Sequence, residues 1–307
     1  MVCQSAYKIL SLSWSEIIAS PAAITKIFDL LAANETLVLQ IYGVTQTKKG
    51  GDMGQQTKMI EHLPFQTKQM IGSRARIGIV VLATDYTIEH EMRALVNLPG
   101  VDIYHARIAN SPKISPDSLR AMEPLITATA ELILPGDKID VLAYACTSAS
   151  IILGTPTVAK NLNAAKPEAK TTNPAFAAFQ AFHALGAKRI AVLTPYAKHV
   201  NDMVKTSVED AGFDVPIFGS FNEPHDPTVA AIDSQSLQTG IARITEDQDV
   251  DAVFISCTSV RVAVDVTAIE RELGIPVTSS NHALAWHCLR LAGIDDKQPE
   301  MGRLFSL

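Results

Sequence analysis

Cysteine is scarce in this 307-residue chain: four residues, none of them in a C-x-x-C pair. So few thiols in so long a chain exclude a disulfide framework, and the missing pairs exclude a ribbon-type zinc site. Charge is also sparse, at 19% of residues, and the net charge of −6 comes without a basic stripe. Nucleic acid and anionic membrane surfaces are therefore not expected partners. No apolar run reaches membrane-spanning length, and the N-terminus carries no clear signal-peptide pattern. A soluble, cytoplasmic protein with reduced thiols is expected. There is no G-x-G-x-x-G, no P-loop and no pair of histidines at metal-ligand spacing, so neither a cofactor nor a metal is expected.

Two of the scarce cysteines stand in the same phrase. VLAYACTSAS runs from Val141 to Ser150, and AVFISCTSVR from Ala252 to Arg261. Each is an apolar run that stops at Cys-Thr-Ser, which reads as a buried parallel strand ending where a helix begins. Ligands of open α/β sheets bind in the crevice outside the carboxyl ends of the strands. A Cys in that place is often only a small hydrophobe. Two of them in matched settings point further. Cys288, on an apolar helix with Trp286 and Leu289, reads as core.

Residues 1–58 differ from the rest. A short helix over 24–31, a strand over 37–42 and a Gly-rich linker over 48–56 read as an N-terminal appendage, or else translation starts at Met53 or Met59. Regular α/β units begin at Arg76. The strand Ile77–Asp85 ends in Ala-Thr-Asp, where Asp85 or Thr84 can cap the next helix. The strand Val101–Ile108 leads to Ser115-Pro116, a cap followed by Pro at the first helical position. Leu119, Met122, Ile126, Ala130 and Ile133 form the stripe of that helix, with a kink expected at Pro124. After the Cys146 strand comes EAKTTNP, whose Asn173-Pro174 opens another helix. A second series follows, from the strand Arg189–Tyr196 to a last helix over 282–293.

The two series are copies. Arg76 matches Arg189, Cys146 matches Cys257, and Thr171–Gly186 matches Thr278–Gly293, in the same order with offsets of 113, 111 and 107 residues. A repeat of about 110 residues is far longer than a solenoid unit. The fold class expected is α/β, with two similar Rossmann-like lobes, each a parallel sheet flanked by helices, related by pseudo-twofold symmetry. The first lobe spans 74–186, with the C-terminal helix 282–293 as a candidate to pack on it. The second spans 187–281. Their strand ends would converge on one cleft with one Cys on each wall.

Opposed thiols can handle a proton on both faces of a flat carbon, which inverts a stereocentre beside a carboxylate. Alternatively, one thiolate adds to a C=C bond, the bond rotates and the thiolate leaves. Both routes need a thiolate at neutral pH, and both cysteines are expected at helix N-termini, which lower a thiol pKa. Thr147, Ser148, Thr258 and Ser259 are placed either to cap those helices or to bind a substrate carboxylate. The expected partner is a small carboxylate, and a homo-oligomer is compatible with the sequence.

The two Cys-Thr segments, the TPY at Thr194–Tyr196 and the T-T-N-P after the fourth strand resemble the Asp/Glu racemase superfamily over about Arg74–Ile294. The match is to its maleate isomerase and arylmalonate decarboxylase branch. RARIGIVVLATDYTIEHE (Arg74–Glu91) is similar to members linked to ectoine utilisation. The resemblance implies a cofactor-independent racemase or cis–trans isomerase with its site between the lobes. It makes Cys146 the nucleophile, Cys257 the second-lobe acid or base, and Tyr196 a hydrogen-bonding partner of a substrate carboxylate. The decarboxylases keep only the second-lobe Cys, and this chain has both. An arylmalonate-type decarboxylase and a non-catalytic two-lobed binding protein are the alternatives. Where maleate isomerases have two Asn, this chain has Asp85 and Asp226. A carboxylate repels a dicarboxylate substrate but suits an ammonium group, so an amino acid or its N-acyl derivative stands beside a maleate-like diacid. Asp85 can otherwise be a helix cap and Asp226 a loop carboxylate.

Overall fold

A computed structural model describes residues 58–307. The expected helix over 24–31, the strand over 37–42, the Gly-rich linker and Cys3 lie outside the described residues. The chain divides into two units, Met1–Gln66 and Thr67–Leu307. Both repeated series fall in the second, and the following concerns that unit.

Eight parallel strands form two four-stranded sheets. The first contains β1 (Ala75–Leu82), β2 (Val101–Ile108), β3 (Val141–Ala145) and β4 (Lys170–Thr172) in the order β2-β1-β3-β4. The second contains β5 (Arg189–Thr194), β6 (Asp214–Ser220), β7 (Ala252–Ile255) and β8 (Val277–Ser279) in the order β6-β5-β7-β8. The orders are the same once four is subtracted from the second set, as the sequence repeat predicts. Every residue of β3 and β7 is buried. That is why these strands read as continuous apolar runs rather than alternating ones. Gly78 lets β1 and β3 approach: a Cβ there would lie 2.8 Å from Leu142 Cδ1 and 3.2 Å from Ile133 Cγ2.

The helices follow their local signals. In the first lobe they are α1 (Ile88–Leu95), α2 (Pro116–Arg120), α3 (Ile126–Glu131), α4 (Thr147–Leu153), α5 (Thr155–Ala165) and α6 (Pro174–Leu185). Asp85 Oδ1 accepts from the Thr87 and Ile88 N–H groups and so starts α1. Ser115 caps α2 through a reciprocal pair with Ser118. Asn173 caps α6 by accepting from the Phe176 N–H, with Pro174 in the first turn. The kink expected at Pro124 is a full break. The helix ends at Arg120, a 3₁₀ turn holds Glu123–Leu125, and α3 starts afresh. Proline cannot donate to the preceding turn, and here the chain gives up the helix altogether. The intended stripe still forms, since Leu119, Met122, Ile126, Ala130 and Ile133 are all buried.

The second series adds α7 (Lys198–Asp210), α8 (Asp226–Ala230), α9 (Ser234–Thr245), α10 (Val266–Leu273) and α11 (Ser280–Leu291). Gly274 ends α10 in the left-handed region, at φ 76°, where a side chain would be strained. The last helix, α11, packs against α6 and α1 and is almost wholly buried, Cys288 included. One apolar core runs from β1 and β3 through α6 and α11 into β5 and β7, and a smaller one lies under α2 and α3. No helix among the described residues is long and apolar enough to cross a membrane.

Candidate active site

The ladders carry the two key cysteines to equivalent strand ends. Val81 pairs with Ala145 at the end of the β1–β3 ladder, and Leu193 pairs with Ile255 at the end of β5–β7. Cys146 is the next residue after β3 and Cys257 the second after β7. Both line one cavity, together with Thr147, Ser148, Tyr196, Asp226 and Thr258. An apolar wall of Ile114, Leu119 and Met122 covers it from the first lobe. The cavity volume is about 20 Å³, room for about one water.

The closure is a clasp between loops of the two lobes. The Ile114 N–H donates to the Pro224 carbonyl, and the Asp226 N–H donates to the Pro112 carbonyl, each at 3.1 Å. The clasp thus holds Asp226 at the cavity. Its Oδ2 accepts from Thr84 Oγ1 at 2.7 Å, and its Oδ1 accepts from the Ser259 hydroxyl.

Cys146 is the cap residue of α4, with extended backbone angles, and its sulfur lies 3.7 Å from Ser148 Oγ. Cys257 is different. It stands just before a turn at Thr258–Ser259, and α10 does not begin until Val266. The expectation that both cysteines open a helix is corrected: Cys146 does, Cys257 does not. The expectation of thiols lowered toward neutrality is corrected as well. Burial pushes the Cys146 thiol up to about 12, against the Ala149 N–H and the Ser148 hydroxyl, which favour the thiolate; the charges of Asp226 and Asp85 add to the rise. Burial raises Cys257 further, with Asp226 the next cause, against the Tyr196 hydroxyl and the Ser259 N–H. Each cysteine is only 4% exposed, and desolvating a thiolate in a closed cavity outweighs one helix terminus.

Tyr196 is buried and lines the cavity with Cys257 and Ser148, and burial, with the neighbouring thiols, raises its hydroxyl. Thr147 Oγ1 donates to Ser280 Oγ at 2.7 Å, a bond to the first turn of α11. Ser259 spends its hydroxyl on Asp226. Neither Asp85 nor Ser259 lines the cavity. Asp85 stands just behind it, 1% exposed, with Oδ1 on α1 and Oδ2 without a hydrogen-bond partner. Burial raises the Asp85 carboxyl, opposed by the Ile88 and Thr87 N–H groups and the Thr258 hydroxyl.

Sequence reasoning passed over Glu91. It lies on α1 at the spacing of Ile88, Met92 and Leu95 and is fully buried. A charge on the apolar stripe of an amphipathic helix was the available signal. Burial raises its carboxyl to about 7, against hydrogen bonds from Asn281, Ala263 and Val262.

Residues 112–305 match the family model for arylmalonate decarboxylase. The maleate isomerase of Nocardia farcinica is 30% identical over 240 residues, 75% of this chain and 94% of that protein. The chain belongs to the maleate isomerase and arylmalonate decarboxylase family. Among solved structures, the maleate isomerase of Pseudomonas putida S16 with maleate superposes with a TM-score of 0.71 at 26% identity, over 76% of this chain and 97% of that one. The Nocardia farcinica maleate cis–trans isomerase, in a cysteine variant carrying a covalently bound succinylcysteine intermediate, superposes at 0.69 with 27% identity, over 76% and 98%. The two four-stranded parallel sheets flanked by helices are the feature this chain shares with those structures.

Proposed function

We propose that this chain is a cofactor-independent isomerase of a small carboxylate, worked by Cys146 and Cys257 from opposite walls of the cleft. The observation that carries this reading is that both thiols, each buried, line one cavity together with Tyr196. In the addition route, Cys146 passes its proton to the buried Asp85 carboxylate, whose Oδ2 is unpartnered, and its sulfur bonds to one carbon of a C=C. The π electrons pass to the carbon beside the carboxylate, and Cys257 protonates that carbon. Rotation and the reverse steps release the isomer. In the racemase route, Cys146 takes the α-proton and Cys257 returns one from the other face. The maleate isomerase relatives favour addition. The two cavity-side carboxylates favour an amino acid or an N-acyl derivative. Decarboxylation is disfavoured by the presence of the first-lobe Cys.

The test is ¹H NMR in D₂O with maleate and a panel of amino acids. Conversion to fumarate, or deuterium at an α-carbon, is expected. Cys146→Ala and Cys257→Ala should each lower turnover by about 10²–10⁴, the usual weight of a positioned acid–base group. In the racemase route each variant should still exchange the α-proton of one enantiomer only. Full activity in either variant would return the cysteines to the role of strand-end hydrophobes.

A further inference from the structure

The loop that carries Cys257 runs from Ser256 to Asp265 without regular structure. Its polar groups at Thr258, Ser259, Val262 and Ala263 are buried, so they need partners. The first lobe supplies them. Glu91 Oε1 accepts from the Val262 and Ala263 N–H groups, both at 2.7 Å. Glu91 Oε2 accepts from Asn281 Nδ2 at 2.7 Å, and the same amide donates to the Thr258 carbonyl at 2.7 Å. Thr87 Oγ1, from the start of α1, donates to the Ser259 carbonyl at 2.7 Å. Helix α1 therefore grips the loop just after the second thiol and again a few residues on.

We infer that Glu91 is a positioning residue: from the first lobe it fixes the loop that presents Cys257, and so sets where the second thiol stands in the cleft. The inference rests on the proposed role of Cys257 for its catalytic meaning, but the geometry stands without it. Among titratable groups, Asp85 is the one whose charge reaches Glu91, and it disfavours the ionised form. Val262, Ala263 and Asn281 carry no charge of their own. Neutral Glu91 keeps its acceptor oxygens but grips the N–H groups less firmly, because hydrogen bonds to an ionised acceptor are roughly twice as strong.

The test compares Glu91→Gln and Glu91→Ala with the wild-type chain, each confirmed folded by circular dichroism. Iodoacetamide alkylation, followed by peptide mass spectrometry, reads the two thiols separately. The expected result is Cys257 alkylation faster by about tenfold in Glu91→Ala and less in Glu91→Gln, with Cys146 unchanged. Equal acceleration at both thiols, or at neither, would overturn the inference, since a merely structural glutamate would loosen both walls together. If Glu91→Ala fails to fold, amide hydrogen exchange in the wild-type protein decides. Val262 and Ala263 should exchange more slowly at pH 8 than at pH 5.5, after correction for intrinsic rates, and the reverse order would overturn the claim. Activity on maleate is a separate arm. A fall in kcat at unchanged KM in Glu91→Gln supports the catalytic meaning. An inactive wild-type protein would remove the isomerase reading while the alkylation result still judged Glu91.

Discussion

The charge of Asp226 should decide which substrates the cavity accepts, and Asp226→Asn tests this with the least change of shape. Asp226 is 3% exposed and lines the cavity shared by both thiols. A substrate carboxylate held there would lie on the order of 5 Å away. At an effective dielectric of about 20, two like charges at that distance repel by about 3 kcal/mol, which is roughly 100-fold in affinity or rate. An ammonium group gains by a similar amount. The substitution should therefore raise kcat/KM for maleate by roughly 100-fold relative to the wild-type chain. It should lower α-proton exchange of an amino acid such as aspartate by a comparable factor. The variant has a structural cost, because Thr84 and Ser259 both donate to the present carboxylate. One of them would face the new amide NH₂, at about 1–3 kcal/mol of stability. Thermal denaturation must therefore accompany the kinetics. The assay is NMR turnover of both substrate types at one pH above 7. A change below threefold in the ratio of the two activities, in a folded variant, would refute the electrostatic argument.

Two further outcomes follow from the same site. Alkylation of Cys146 by iodoacetamide should still be climbing at pH 10, because burial holds its thiol up at about 12; a plateau between pH 7 and 8 would contradict this. Thr147→Val should lower stability by about 1–2 kcal/mol in urea titrations, since it removes the buried bond to Ser280. It should leave KM within a few-fold, whereas a large rise in KM with unchanged stability would move Thr147 from holding α11 to holding substrate.

Much of this site was legible in the chain because its makers are local. The apolar runs of β3 and β7 and the repeated Cys-Thr-Ser place two thiols at strand ends, and the repeat then pairs them. The Asn173 and Ser115 caps were readable for the same reason, since cap and helix lie within three residues. What could not be read depends on parts that meet only in three dimensions. The raised thiols follow from closure by Ile114, Leu119 and Met122, far in sequence from both cysteines. The missing helix after Cys257 is replaced by contacts to Glu91 and Thr87 from the other lobe. Asp85 was legible as a cap, which it is. Its partnerless second oxygen was not, because that depends on its burial behind Thr258.

The raised thiols also constrain the chemistry. With Cys146 at about 12, forming its thiolate at pH 7 costs about 7 kcal/mol if the proton goes to bulk water, at about 1.4 kcal/mol per pH unit. A proton passed to a group inside the cavity avoids part of that cost. Asp226 lines the cavity and touches both Thr84 and Ser259, and Asp85 stands behind it with one oxygen unspent and its carboxyl raised by burial. A carboxylate with a raised pKa is a better proton acceptor than an ordinary one, and its own charge falls as it accepts. Protonating Asp85 would remove a charge that now opposes both thiolates. Moving the proton from sulfur to carboxylate keeps the total charge of the closed cavity constant, which a low-dielectric space favours over exporting a proton and leaving three anions behind. Asp85, with its unspent oxygen and raised carboxyl, is thus the carboxylate whose proton uptake would ease thiolate formation in this cavity.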